Sequence, residues 1–225
     1  MSDNLPKYKP IYTDGKKSII FDRNLNPLKH RPIIIFYDDY YDEYFYIKAR
    51  SAYDANGNKK EKYQGEIFIP AANKGLLTKD SYVDTTQIFS IKRIDLEKIV
   101  DKNSHIFLTT NHFTKNQIRE ISKSLISNLL DYEPPLVSFV EVHLKNNKPL
   151  PNLKYCHKKF WNEITNLSLV NYVISDELNE DLIWDLRALG AEVRADLKDF
   201  EHTWKSEENE IIEQIEREEE DEMEM

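Results

Sequence analysis

His30-Arg31-Pro32-Ile33-Ile34-Ile35 is followed about forty residues later by Gly75-Leu76-Leu77-Thr78-Lys79-Asp80-Ser81-Tyr82-Val83-Asp84-Thr85-Thr86-Gln87-Ile88, and the reading of these two stretches decides the fold. The first is a β-branched run that reads as a strand; residues 81–83 and 87–91 of the second read as further strand. Around them, residues 18–21 are short and apolar and residues 22–29 are turn-rich. Residues 44–52 and 65–70 are two more strands, and residues 54–60 a solvated loop with an Asn-Gly turn signal. Residues 93–100 predict a short helix. Several short strands at this spacing predict a small barrel or strongly curled sheet.

Thr114-Lys115-Asn116-Gln117 fits a capping box, since the Thr hydroxyl can accept from the third following amide while the Gln side chain reaches back. Ile118, Ile121, Leu125, Ile126 and Leu129 then recur at helical intervals, which predicts a helix over about 115–131 that Pro134-Pro135 cannot continue. A first domain is therefore expected over 1–131, and a mainly helical region over 132–225. In the latter, residues 136–144 predict a strand and residues 146–152 a Pro-containing linker. Residues 158–174 predict a helix with Phe160, Trp161, Ile164, Leu167 and Val170 inward. From residue 175 a stripe through Leu178, Leu182, Leu186, Leu189, Val193, Leu197, Phe200 and Trp204 is patterned like a coiled-coil seam. The acidic end, about 206–225, predicts disorder.

The chain has 225 residues, 40% hydrophobic and 12% aromatic, which is enough apolar material for a sizeable core; 32% charge solvates its surface. No uninterrupted apolar run reaches membrane-spanning length and the start lacks an apolar leader, so a soluble, cytoplasmic protein is expected. Cys156 stands alone, which excludes an internal disulfide and reads as a packing residue. The net charge of −9 conceals two unlike parts. Residues 1–131 carry 21 basic against 17 acidic side chains, residues 132–225 carry 10 against 23, so +4 is joined to −13. The first part can face phosphate; the second can repel it or cover the first. No Walker loop, dinucleotide fingerprint or H-E-x-x-H occurs, and the six histidines never stand four apart, so neither a nucleotide cofactor nor a metal is expected.

The two opening stretches resemble the MazF/PemK family of toxin endoribonucleases, where an Arg-Pro opens a buried strand and a G-L-x-x-D-S-x-V segment runs into a strand ending in Gln-Ile. Ile67-Phe68-Ile69-Pro70 and Ile91-Lys92-Arg93-Ile94-Asp95-Leu96 extend the resemblance, which covers about residues 17–131. It implies an α+β fold with a small SH3-like β-barrel and packed helices. It also implies a homodimer, and a metal-independent, cofactor-free endoribonuclease that cleaves single-stranded RNA and is inhibited by an antitoxin. Such cleavage proceeds by attack of the ribose 2′-hydroxyl on the adjacent phosphate. It needs a proton acceptor, a proton donor and a cation at the crowded phosphorus, a part that suits the planar, permanently charged guanidinium.

By this resemblance the catalytic pair is Arg31, of the Arg-Pro, and Ser51, where one branch of the family has a Thr ending its third strand; Arg50 is the reserve should the register slip by one residue. Lys29, Lys48 and Arg50 supply phosphate contacts and Tyr46 a stacking face, with Phe36 nearby. Another branch uses V-R-x-D-Q for proton transfer. Here Asp84 and Thr86 replace its Arg and Asp, so that mechanism is unsupported, and Gln87 reads as a brace. The rival expectation is a catalytically inactive nucleic-acid- or protein-binding module with a helical interaction arm. In either case the acidic end has the character of an antitoxin segment that could lie along an RNA groove.

Overall fold

Ser81–Lys92 is rich in β-branched and aromatic residues, buried on both faces except for its last residue, and the sheet is organised around it. The computed structural model describes residues 5–13, 18–28, 31–39, 42–72, 77, 79–101, 112–165 and 180–223, with side chains to residue 208 in the final helix. Seven strands follow in chain order: β1 (Pro10–Ile11), β2 (Ile33–Asp38), β3 (Glu43–Ser51), β4 (Glu66–Ile69), β5 (Ser81–Lys92), β6 (Ser138–Lys145) and β7 (Lys148–Cys156). Helices α1 (Arg93–Ile99), α2 (Lys115–Leu130) and α3 (Glu180–Met223) and a 3₁₀ segment, Lys158–Glu163, complete the described elements.

The strands run in the order β1-β2-β3-β5-β6-β7, with β4 also on β5. β3 borders one edge of β5. The other edge changes partner: β4 pairs antiparallel with residues 81–84 and β6 pairs parallel with residues 87–91, so Thr85 and Thr86 fall between the two. Because β6 and then β7 build outward from β5, away from β1, the end strands do not meet. The described strands form an open mixed sheet, and the expected closed SH3-like barrel is not formed by them.

The sheet continues past residue 131, and Val140, Val142 and Leu153 share a core with Ile33, Tyr46 and Phe89. Residues 148–156, expected in part as linker, are a strand despite Pro149 and Pro151, because β7 lies at the end of the sheet, where a missing amide donor costs no ladder bond. Its hairpin turns through Asn146 and Asn147 at φ 52° and 60°, the left-handed pair that a two-residue hairpin favours. Of the helix expected over 158–174 the described part is the 3₁₀ segment; residues 166–179, which include Leu167, Val170 and Leu178, lie outside the described residues.

Two apolar clusters flank the sheet. Tyr44, Tyr46, Ile33 and Ile35 face one, with Phe89, Ile91, Leu96 and Phe160. Ile34, Phe36, Ile47 and Ala49 face the other, with Val83, Ile88 and the inner faces of α2 and α3. The capping box at Thr114 is formed as the sequence predicts, and Ile118, Ile121, Leu125 and Leu129 are buried. The stripe Leu186, Leu189, Val193 and Leu197 closes on α2 and the sheet. The two helices run antiparallel, as the ion pairs Arg187–Glu133 at one end and Arg119–Glu201 and Lys115–Glu208 at the other show. The backbone of α3 stays helical through Met223, across the stretch expected to be disordered. No helix among the described residues is long and apolar enough to cross a membrane.

At Gly190 α3 packs closely on α2. A Cβ there would stand 2.8 Å from Leu129 Cβ and 2.9 Å from Leu130 Cδ2. Gly190→Ala gains up to about 1 kcal/mol of helix propensity but incurs an overpacking cost of about 1–3 kcal/mol, because Leu129 Cβ cannot swing aside. With overpacking the larger effect, at a net cost of about 1–2 kcal/mol, thermal unfolding followed by circular dichroism is expected to shift down by roughly 2–8 °C.

Candidate nucleic-acid interface

Strand register writes two rows of side chains across one face of the sheet. Lys48 of β3 stands opposite Asp84 of β5, which stands opposite Glu66 of β4; one step along, Arg50 stands opposite Tyr82, which stands opposite Phe68. The backbone bond from Ala49 N–H to Pro32 O carries the pairing back to the residue before Pro32, and Arg31 lies within electrostatic reach of Arg50, Tyr63, Glu66 and Asp84. Arg31 therefore sits beside Arg50 on this face.

The first row is a buried charge network. Lys48 Nζ is 2.9 Å from Asp84 Oδ2 and also donates to Gln87 Oε1, and Lys48 and Asp84 are each less than a tenth exposed. The other oxygen of Asp84 accepts from Thr86 N–H, the Thr86 hydroxyl and Gln87 N–H, which fixes the turn by which β5 changes partners. Arg23 enters from the preceding loop: its Nη2 donates to Thr86 Oγ1 at 2.9 Å, its Nη1 to Ser138 Oγ and its Nε to Glu163, while its plane lies 3.8 Å from the Phe160 ring centre. Burial alone would raise the Asp84 carboxyl, but Lys48, Arg23 and the Thr86 amide outweigh it and hold the group at about 2. Burial pulls the Lys48 ammonium down, an effect Asp84 partly offsets.

The second row is a ladder of rings and cations. Arg50 grips Glu66 with two 2.7 Å bonds, Nε to Oε1 and Nη2 to Oε2. Its guanidinium carbon lies 4.2 Å from the Tyr63 ring centre and 4.7 Å from that of Tyr82. Tyr82 meets Phe68 edge-on at 5.9 Å, and Lys59 Nζ stands 4.7 Å over Phe68. Tyr63 and Phe68 are open to solvent, 58% and 38% exposed. Rings in the open, spaced by cations, are what single-stranded nucleic acids stack and pair their phosphates on.

Arg31 completes the arrangement. It is half-buried and makes no hydrogen bond or ion pair with any described residue; burial first, and Arg50 second, depress its pKa. Arg23, Lys48 and Arg50 are paired with Glu163, Asp84 and Glu66 in turn, whereas Arg31 has no carboxylate partner among the described residues.

The expected residues are thus only partly brought together. Arg31 and Arg50 are neighbours. Ser51 is not with them: it stands in the row Ser51–Ser81–Ile69, which alternates with Arg50, Tyr82 and Phe68 and so belongs to the opposite face, and its hydroxyl is engaged with the backbone of Tyr53. Tyr46 is no stacking platform, because it is wholly buried against Phe89 at 5.4 Å with its hydroxyl donating 2.8 Å to Ile19 O. Phe36 is likewise core. Lys48 is consumed by Asp84. Lys29 lies outside the described residues. Sequence reading missed Arg23, Tyr63, Glu66, Phe68 and Tyr82. The signal for Glu66 and Phe68 lay in the alternation of Glu66-Ile67-Phe68-Ile69, which sends both to the face that Lys48 and Arg50 need neutralised.

Compared with protein-family models, with curated proteins and with solved structures, the chain finds no match in any of the three.

Asp84→Asn leaves Lys48 buried without its counter-charge and is expected to cost about 3–5 kcal/mol in urea unfolding. Because the folded carboxyl titrates at about 2 against an ordinary 3.8, its stabilisation is whole above about pH 4 and drains away as pH falls toward 2. Between those values the unfolding midpoint of the wild type is expected to fall more steeply than that of Asp84→Asn.

Proposed function

We propose that the protein binds single-stranded RNA across the face that carries Arg31, Tyr63 and Phe68, as a binding module and not through an Arg31–Ser51 catalytic pair. The observation that carries this reading is the half-buried Arg31 guanidinium, without a hydrogen-bond or ion-pair partner among the described residues, on the same face as the exposed rings of Tyr63 and Phe68. Arg31 takes a phosphate, and Tyr63 and Phe68 take base faces. RNA is favoured over other polyanions by the exposed rings, and over DNA by the resemblance of residues 17–131 to the MazF/PemK family.

Transesterification needs a proton acceptor near the phosphate that Arg31 would hold. Glu66 is spent on Arg50 and the Tyr63 amide, and Asp84, held at about 2, is a weak base. The ribonuclease reading retains Arg31 but must do without Ser51. As for self-inhibition, Glu201, Glu207 and Glu208 of α3 pair with Arg119 and Lys115 on the α2 side, away from Arg31's face.

Fluorescence anisotropy with a 5′-labelled, unstructured 12-nucleotide RNA in chelator tests the proposal. Arg31→Ala is expected to weaken binding about ten-fold or more, as loss of a charge-assisted hydrogen bond does, and to lower the salt slope by about 1. Tyr63→Ala is expected to cost about 1–3 kcal/mol of stacking, while Ser51→Ala binds as wild type. Absence of binding, or equal binding by Arg31→Ala, would defeat the proposal. Cyclic-phosphate products lost in Arg31→Ala would restore the ribonuclease reading.

A further inference from the structure

Where the edge of β5 passes from β4 to β6, Thr85 and Thr86 have no ladder partner, and a cavity of about 150 Å³ opens between them, the start of β4 and the outer side of α2. Its lining combines the neutral hydrogen-bonding residues Gln64, Thr85, Thr86, Ser124 and Asn128 with the apolar Leu136 and Phe160 and the charged Glu66 and Lys159. Ser124 Oγ is 2.8 Å from Thr85 Oγ1, and Asn128 Nδ2 donates to Thr85 O at 3.2 Å and to Thr85 Oγ1 at 3.1 Å. The Asn128 amide is thereby fixed, and its Oδ1 makes no hydrogen bond with a described residue. Gln64, exposed at the mouth, brings a side-chain amide that makes no hydrogen bond with a described residue.

The contents of this wall decide what it can hold. An anion is disfavoured, since Glu66 lines the floor and Lys159, exposed at the rim, is the one cation among the lining residues. An aliphatic ligand would offer nothing to Asn128 Oδ1 or to the Gln64 side-chain amide, the groups of the lining left without a hydrogen bond to a described residue. The volume is far more than one ordered water needs and well below the several hundred Å³ of a drug-sized site. A flat, neutral ring bearing both donors and acceptors on its edge satisfies all three conditions. Glu66 links the cavity to the Arg31 face, because its carboxylate is held by Arg50 while its residue lines the floor.

We infer that this cavity receives one nucleobase of the bound strand and reads its edge through Asn128 and Gln64, which makes RNA binding base-selective at a single position. The inference rests on the proposed RNA-binding face, which supplies phosphate and stacking contacts indifferent to sequence; the cavity supplies the discrimination.

Anisotropy with labelled rA12, rC12, rU12 and alternating (rGrU)6 tests it. Wild-type protein is expected to separate the best from the worst ligand by at least about five-fold, the low end of what one amide–base pairing provides. Asn128→Ala is expected to compress that spread toward unity. Gln64→Ala, at an exposed turn position where folding is not at stake, is expected to compress it in part. Arg31→Ala is expected to weaken all four ligands together. Binding without a spread, or a spread unchanged in both Asn128→Ala and Gln64→Ala, overturns the cavity's role and leaves the RNA-binding face standing. Failure of all four RNAs to bind removes both.

Discussion

The ion pair between Lys48 and Asp84 is the constraint from which the rest of this face follows. Both groups lie inside the sheet, and neither tolerates burial without the other. Such a pair adds little net stability, since the cost of taking two charges out of water cancels most of their attraction. What it adds is position. One oxygen of Asp84 holds Lys48; the other gathers the Thr86 and Gln87 amides, bends β5 and frees its edge to pass from β4 to β6. Arg23, drawn in by Thr86, Ser138 and Glu163, ties the turn to the first strand of the β6–β7 hairpin and to the 3₁₀ segment.

The same network explains why Arg31 differs from its neighbours. Arg50 is neutralised in bidentate fashion by Glu66, and Arg23 is spent on three acceptors. Arg31 adds a further cation and makes no hydrogen bond or ion pair with a described residue. In the proposed role, a bound phosphate would partly offset the desolvation of such a guanidinium and would be attracted by Arg50 as well. Tyr63 and Phe68 pack against Arg50, Tyr82 and Lys59, contacts that would lower the entropic cost of stacking a base in the proposed role.

Much of the fold was legible where the signal was local. The capping box at Thr114 and the spacing of Ile118 to Leu129 marked α2 to within a residue, and the β-branched runs marked β2, β3 and β5. What failed was non-local. Nothing in residues 148–156 says that their prolines sit on the last strand of a sheet, and nothing in the expected barrel says that β6 will join β5 in parallel and hold the sheet open. The site shows the same division. Arg31 and Arg50 do lie side by side, but Lys48 and Tyr46 are buried on partners, Asp84 and Ile19 O, that are distant in sequence. Ser51 fell to the simplest rule of strands: one step from Arg50 puts it on the opposite face. Asp84 was noted only as an arginine missing from a family pattern, when its role is to be the buried anion.

The account turns on whether Arg31 is the guanidinium that meets RNA while Arg23 and Arg50 stay with their carboxylates. Two-dimensional NMR of the arginine Nε–Hε signals, assigned by single Arg→Lys substitutions and followed through a titration with a 12-nucleotide single-stranded RNA, reads this directly. The predicted result is a saturable shift of the Arg31 signal with the Arg23 and Arg50 signals held near their starting positions. An RNA titration that saturates while the Arg31 signal stays where it began would contradict the account.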